Sequence, residues 1–187
     1  MKLVVLISGR GSNLKAIIDK MPDVEIVAVI SNNPNASGLQ YAKLVNAQEI
    51  IVDHTKFGSR EAFDQKLIQI INKLSPDLVV LAGFMRILSK DFVNQVSCKI
   101  INIHPSLLPK YKGLNTHKRV LEAGDKYHGA TVHFVTSELD SGETILQRSL
   151  KVKDNDTEDS LAARVLKLEH KLYSDAINKL IVSGDLI

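Results

Sequence analysis

Hydrophobic positions in the first hundred residues gather into short unbroken runs, separated by stretches with helical spacing. Leu3 to Ile7 is continuous and contains β-branched residues, as a strand covered on both faces requires. Leu14, Ile17, Ile18 and Met21 then recur at the period of a helix. Glu25 to Ile30 (EIVAVI) predicts a second buried strand, closed by the turn residues Ser31-Asn32-Asn33-Pro34. A helix near Gly38 to Val45 and a short strand over Glu49 to Val52 follow. Ser59 reads as the N-cap of a helix with Phe63, Leu67, Ile70, Ile71 and Leu74 on one face. Beyond Ser75-Pro76-Asp77, LVVLAGF predicts a third long strand, and Lys99 to His104 (KIINIH) a fourth.

Strands alternating with helices of this length build parallel βαβ units with right-handed crossovers. The expected fold is therefore α/β: an open, twisted, mainly parallel sheet with helices on both faces. After residue 125 the pattern changes. His128 to Val135 and Thr144 to Val152 alternate more and have no helix between them, which predicts an antiparallel extension. Asp156 or Thr157 is expected to cap a last helix that buries Leu161, Val165, Leu168 and Leu172.

Composition changes this picture little. At 187 residues the chain is long enough for one core, and no repeat or long Pro/Gly/Ser linker divides it, so a single domain over 1–187 is expected. The 24 basic and 21 acidic residues leave a net charge of +3, too small to argue for nucleic acid but suited to a small anion. The single cysteine, Cys98, excludes an intrachain disulfide, fits a reducing compartment and reads as structural. The apolar start ends at Ser8-Gly9-Arg10, too short for an export or membrane signal, so a cytoplasmic protein is expected.

Candidate chemistry begins at the turn Ser8-Gly9-Arg10-Gly11-Ser12-Asn13, which joins the first strand to the first helix. Glycines let backbone approach a ligand, and the N–H groups and dipole of a helix start favour an anion such as phosphate. No Gly-Lys-Ser/Thr follows, the sixth position of the turn is Leu14, and the second strand ends without an acidic residue. A monophosphate site therefore fits better than a nucleoside triphosphate or dinucleotide site. The structural alternative is a tight turn with Ser12 or Asn13 as the helix cap.

On the fourth strand Asn102 and His104 share a face, and Pro105 ends the strand there. Ligands in open α/β sheets sit at strand carboxyl ends, so an amide and an imidazole face that position together. Asn donates to a carbonyl oxygen, and His moves protons near neutrality. Neither is a strong nucleophile, and no Ser or Cys elbow is present, so the pair suits acyl transfer to an amine supplied by the substrate. His104, His117, His128 and His133 lack zinc-ligand spacing, and no metal is expected. Asp140, beside Ser141-Gly142, is placed by spacing alone as a turn residue. A carboxylate set against His104 would orient the ring and favour its protonated form.

The segments GRGSNL, VVLAGFMRIL, INIHPSLLPKYKG, HGATVHFV and ELDSGETILQ together resemble the phosphoribosylglycinamide formyltransferases, from Met1 to about Tyr173 and in the same order. The resemblance implies formyl transfer from 10-formyltetrahydrofolate, as cosubstrate, to the amine of phosphoribosyl-glycinamide in purine synthesis. It implies a phosphosugar-binding part over 1–100 and a catalytic, folate-binding part over 101–187. Asn102, His104 and Asp140 match the family's catalytic trio. Gly11, Ser12 and Asn13 match its phosphate turn, and Glu169 a residue that contacts the ribose. Met85, Arg86, Ile87 and Leu88, with Thr136, Ser137, Glu138 and Leu139, match the folate pocket, and Arg60 an arginine that contacts the cosubstrate.

Each of the weaker positions has a plainer alternative. Arg60 reads equally as a solvated residue at a helix start, Glu169 as one end of an i,i+4 pair, and 85–88 as a loop into the next helix. The basic stretch Lys110, Lys112, His117, Lys118, Arg119 reads as a solvated loop, or as an attractor for the folate's glutamate tail. Lys112 departs from the family pattern, which has proline before Gly113 in some members, and the chain stops soon after its last helix. Partners are expected to be small molecules, without nucleic acid or membrane, and the protein a monomer or homodimer. The rival readings are a formyltetrahydrofolate hydrolase, a methionyl-tRNA formyltransferase, which usually adds an RNA-binding domain, and a non-catalytic phosphosugar-binding module.

Overall fold

Alternation along the first strand sets the layering. The computed structural model describes residues 1–184, and the last three positions of the expected 1–187 unit lie outside the described residues. In β1 (Lys2–Ile7), Leu3, Val5 and Ile7 join one apolar cluster, while Val4 and Leu6 join a second on the opposite face. A strand so covered is central. The sheet order is β3-β2-β1-β4-β5-β6-β7, formed by β1, β2 (Glu25–Ser31), β3 (Gln48–Ile51), β4 (Leu78–Leu81), β5 (Lys99–His104), β6 (Tyr127–Phe134) and β7 (Thr144–Lys151). The pairs from β3 to β5 are parallel, and β5–β6 and β6–β7 are antiparallel, as the change of pattern after residue 125 predicts.

Helices cover both faces. α1 (Ser12–Lys20) and α5 (Glu158–Ser183) supply Leu14, Ile17, Leu161, Val165, Leu172 and Tyr173 to the first cluster. α2 (Arg60–Leu74) and α3 (Lys90–Gln95) supply Phe63, Leu67, Ile71 and Phe92 to the second. α4 (Thr116–Ala123) packs on the first face through Val120. Ser59 caps α2, its hydroxyl accepting from the Ala62 N–H. Thr157 caps α5 in a reciprocal box with Ser160, while Asp156 accepts from the Lys153 N–H just before it.

Four local expectations are corrected. The strand over 78–84 stops at Leu81, because the chain bends through Gly83 at φ +76, a region that favours glycine. The helix over 38–45 is a 3-10 helix, Ser37–Val45. α1 has Gly11 as its N-cap in the left-handed region with no side-chain cap bond, not Ser12 or Asn13. The basic stretch at 110–119 is not a loop throughout: His117, Lys118 and Arg119 lie on α4, whose stripe is too short to show in the sequence pattern. Among the described residues, no helix is long and apolar enough to cross a membrane.

Tyr173, fully buried on α5, donates its hydroxyl to the carbonyls of Leu81 (2.9 Å) and Ile101 (3.2 Å), bridging the end of β4 to the middle of β5. Burial raises the phenol well above its ordinary value of 10.0, so it remains a donor. Tyr173→Phe removes the shared hydrogen and is expected to cost about 1–2 kcal/mol. Urea unfolding checks this: the midpoint falls while the slope with denaturant stays the same.

Candidate active site

Parallel pairing puts the carboxyl ends of β1, β4 and β5 on one edge of the sheet, and the site is built there. A cleft of about 610 Å³ opens beside the glycine turn, between the start of α1 and the side of α5. Ser8 to Asn13 form one wall and Gly83 and Met85 another, with Ile103, Pro105, His117 and Glu169 among the rest of the lining. Gly11 is required twice over. Its φ is +67, and a Cβ there would lie 2.8 Å from the Gly38 Cα. The first turn of α1 presents N–H groups without intrahelical partners, and their dipole favours an anion.

Across this cleft Asn13 donates its side-chain amide to Glu169 Oε2 at 2.9 Å, and both residues are buried. Burial raises the Glu169 carboxyl above its usual value, and the Asn13 bond works against that rise. The buried Oδ1 of Asn13 has no protein partner. Gly11, Ser12, Asn13 and Glu169 thus share one cleft, although Gly11 and Glu169 are 158 positions apart in sequence.

The second half of the site lies at the end of β5. Pro105 and Ile103, the chain neighbours of His104, line the cleft, so the imidazole sits across the strand from it. His104 is 6% exposed, and both of its ring nitrogens face acceptors. Nε2 donates to the Tyr111 carbonyl at 2.9 Å, and Nδ1 lies 3.4 Å from Asp140 Oδ2. Asp140 adopts φ +48 at the tip of its loop, and its Oδ2 also accepts from the Gly113 N–H at 2.9 Å. Spacing placed Asp140 as a turn residue; in the fold it has that conformation and also faces His104.

Asn102 is half-buried, and its amide nitrogen lies 3.3 Å from His133 Nε2, its directly opposed residue on β6. His133 Nδ1 faces the Phe134 carbonyl at 2.8 Å, so the proton belongs on Nδ1 and Nε2 accepts from Asn102. Burial lowers the His133 imidazole below its ordinary 6.5, which favours this neutral form. The amide's second N–H and its oxygen remain for a ligand. Gly142 holds the loop in register, since a Cβ there would lie 1.8 Å from the Phe134 carbonyl oxygen.

The residues matched to a folate pocket are spread more widely. Met85 reaches the cleft and is 70% exposed, Ile87 is also exposed, and Leu88 packs against the second core cluster. Arg86 has a buried Nε without a protein partner. In the loop before Asp140, the Thr136 hydroxyl donates to the Glu138 carbonyl, Ser137 and Glu138 are exposed, and Leu139 is an exposed apolar side chain. Arg60 opens α2, exposed and 3.7 Å from Glu61. The basic stretch is tied down internally: Lys110 pairs with Asp125 at 2.9 Å, Lys112 donates to Ser141, and Arg119 donates to the Lys112 carbonyl. Cys98 sits just before β5, where burial pushes its thiol up to about 11, far from a nucleophilic thiolate.

Several groups in the site escape a reading of the sequence. His133 carries a usable signal, because antiparallel pairing of β6 with β5 sets it opposite Asn102. The Tyr111 carbonyl and the Gly113 N–H carry none, since backbone groups are the same in every residue.

An open α/β sheet with a glycine turn and an amide, an imidazole and a carboxylate gathered at its strand ends carries the groups that transfer of a small acyl group to an amine requires. The chain belongs to the formyl transferase family, whose sequence model it matches over residues 1–177. It is 51% identical over 177 residues to phosphoribosylglycinamide formyltransferase of Escherichia coli (strain K12), an alignment covering 92% of this chain and 84% of that protein. It is 46% identical over 187 residues to the trifunctional purine biosynthetic protein adenosine-3 of Gallus gallus, covering 98% of this chain and 18% of that longer protein. The crystal structure of glycinamide ribonucleotide transformylase 1 from Symbiobacterium toebii superposes with a TM-score of 0.93 at 39% identity, covering 100% of this chain and 90% of that one.

A neighbouring pair sets part of the pH behaviour. His128 is buried on β6, with Nε2 3.0 Å from His117 Nδ1. Burial, with His117 and His104 in the same direction, lowers the His128 imidazole from 6.5 to about 4. The unfolded chain takes up this proton near 6.5 and the folded chain does not, so stability is intact above 6.5 and is lost as pH falls toward 4. One such group contributes a slope of up to about 1.4 kcal/mol per pH unit. His128→Gln keeps a polar partner for His117 and is expected to flatten that slope, read from urea unfolding at a series of pH values.

Proposed function

We propose that this protein transfers the formyl group of 10-formyltetrahydrofolate to the amine of phosphoribosyl-glycinamide, a step of purine (IMP) synthesis. The observation that carries the reading is the placement of the Asn102, His104 and Asp140 cluster across one strand from the anion cleft. Family membership and the names of the similar proteins support the same reaction. The phosphate is held by the backbone of Gly11 to Asn13, and the ribose hydroxyls donate to Glu169. The folate lies along Met85 to Leu88 and Thr136 to Leu139, with Arg60 answering its carboxylates.

The substrate amine attacks the formyl carbon, and the carbonyl electron pair moves onto oxygen. The Asn102 amide, braced from behind by His133, donates to that developing oxyanion. His104, oriented by Asp140 and the Tyr111 carbonyl, lies beside it and moves a proton toward the departing folate nitrogen. The proton lost by the attacking amine balances the one gained by the leaving nitrogen. The carbonyl then re-forms on the new amide. No enzyme nucleophile is needed.

A spectrophotometric assay with 10-formyltetrahydrofolate, run with and without phosphoribosyl-glycinamide, tests the reaction. Folate release is expected to require the amine and to fall by at least about 100-fold in His104→Ala. Release without the amine would make the protein a hydrolase. No turnover with phosphosugar binding retained would make it a binding module.

Asp140→Asn keeps the shape of the loop but removes the charge that faces His104. The expected result is a kcat reduced by about 100-fold or more, with the dissociation constant for ribose 5-phosphate changed less than about 3-fold. Equal losses in both would instead show a collapsed loop.

A further inference from the structure

Ser8 follows β1 and opens the glycine turn, and its hydroxyl has no role assigned above. Its four polar connections all lead away from β1. The Ser8 N–H donates to the Gly83 carbonyl at 3.1 Å, and its own carbonyl accepts from Asn33 Nδ2 at 3.3 Å. Its hydroxyl donates to Asn32 Oδ1 at 2.5 Å and accepts from the Met85 N–H at 2.7 Å. A hydroxyl has one hydrogen. Buried Asn32 takes it, so a lone pair is left aimed at Met85. The far end of the same segment is pinned too, where the Ser89 N–H donates to Asp64 Oδ2 at 2.7 Å from a fully buried carboxylate.

We infer that the Ser8 hydroxyl is a positioning group that couples the phosphate turn to the 85–88 segment. The inference rests on the phosphosugar and folate reading above. An anion that draws the turn's N–H groups onto itself fixes Ser8, and through one short hydrogen bond fixes the Met85 backbone. The two ligand sites then share one restraint, so each ligand tightens the other by the same factor. Removing the hydroxyl cuts this link and leaves the turn's own N–H groups in place.

The test uses two ligands that do not react, ribose 5-phosphate and tetrahydrofolate, with calorimetric titration of each in the absence and presence of the other. The wild type is expected to show mutual tightening of about 5-fold or more, the lower range of measured couplings. In Ser8→Ala the factor falls below about 2-fold, and in Ser8→Thr, which keeps the hydroxyl, it is retained. A purely structural loss would weaken each ligand alone and leave the factor unchanged. Coupling that survives Ser8→Ala, or its absence from a wild type that binds both ligands, overturns the inference. A wild type that binds neither ligand overturns the function reading instead. If Ser8→Ala does not fold, Asn32→Ala leaves the hydroxyl but removes its orienting acceptor. There the factor is expected to drop at least by half, and an unchanged factor overturns the inference.

Discussion

Parallel pairing of β1 with β4, and of β4 with β5, is the constraint on which the rest depends. It brings three strand ends to one edge, each closed by a different device: the glycine turn after β1, the bend at Gly83 after β4, and Pro105 after β5. Backbone that stops pairing at an edge has N–H and carbonyl groups to spare, and a ligand can take them. The antiparallel strands β6 and β7 do not extend that edge. They brace it from the side, placing His133 behind Asn102 and sending out the loop that returns Asp140.

The electrostatic centre is built from acceptors. A Tyr111 carbonyl and an Asp140 carboxylate flank one buried ring, the first accepting from Nε2 and the second facing Nδ1. Burying a polar ring is costly unless its nitrogens find partners, and here both partners are fixed in the backbone or held against it. The Gly113 N–H holds the carboxylate, so the loop after β5 and the loop after β6 steady the same imidazole from opposite directions. Burial favours the neutral form of His133, which braces Asn102 from the neighbouring strand.

Most of the sheet could be read from the chain because burial on both faces leaves an unmistakable run: Leu3 to Ile7, Glu25 to Ile30 and Lys99 to His104 are strands where the pattern places them. Short or polar elements were less legible. α4 has one fully buried apolar residue, Val120, and its charged face resembles a loop in sequence. The geometry of Asn102 relative to His104 follows from strand alternation, but the approach of Asp140 depends on a left-handed residue at the end of a long-range contact. The resemblance to a family supplied that pairing; spacing did not. The carbonyl of Tyr111 could not be foreseen at all, since its position depends on a backbone at φ +56.

The long helix α5 carries Glu169 and Tyr173 one turn apart, the first facing the cleft and the second bridging β4 to β5. Those two contacts make the helix a ruler. A single inserted or deleted residue between Leu161 and Glu169 would turn the following stretch by about 100° and shift it about 1.5 Å along its axis. The carboxylate and the phenol would leave their places together. The middle of α5 can therefore vary in side chains on its outer face but not in length, and the spacing from its capping box to Tyr173 is part of the site's geometry.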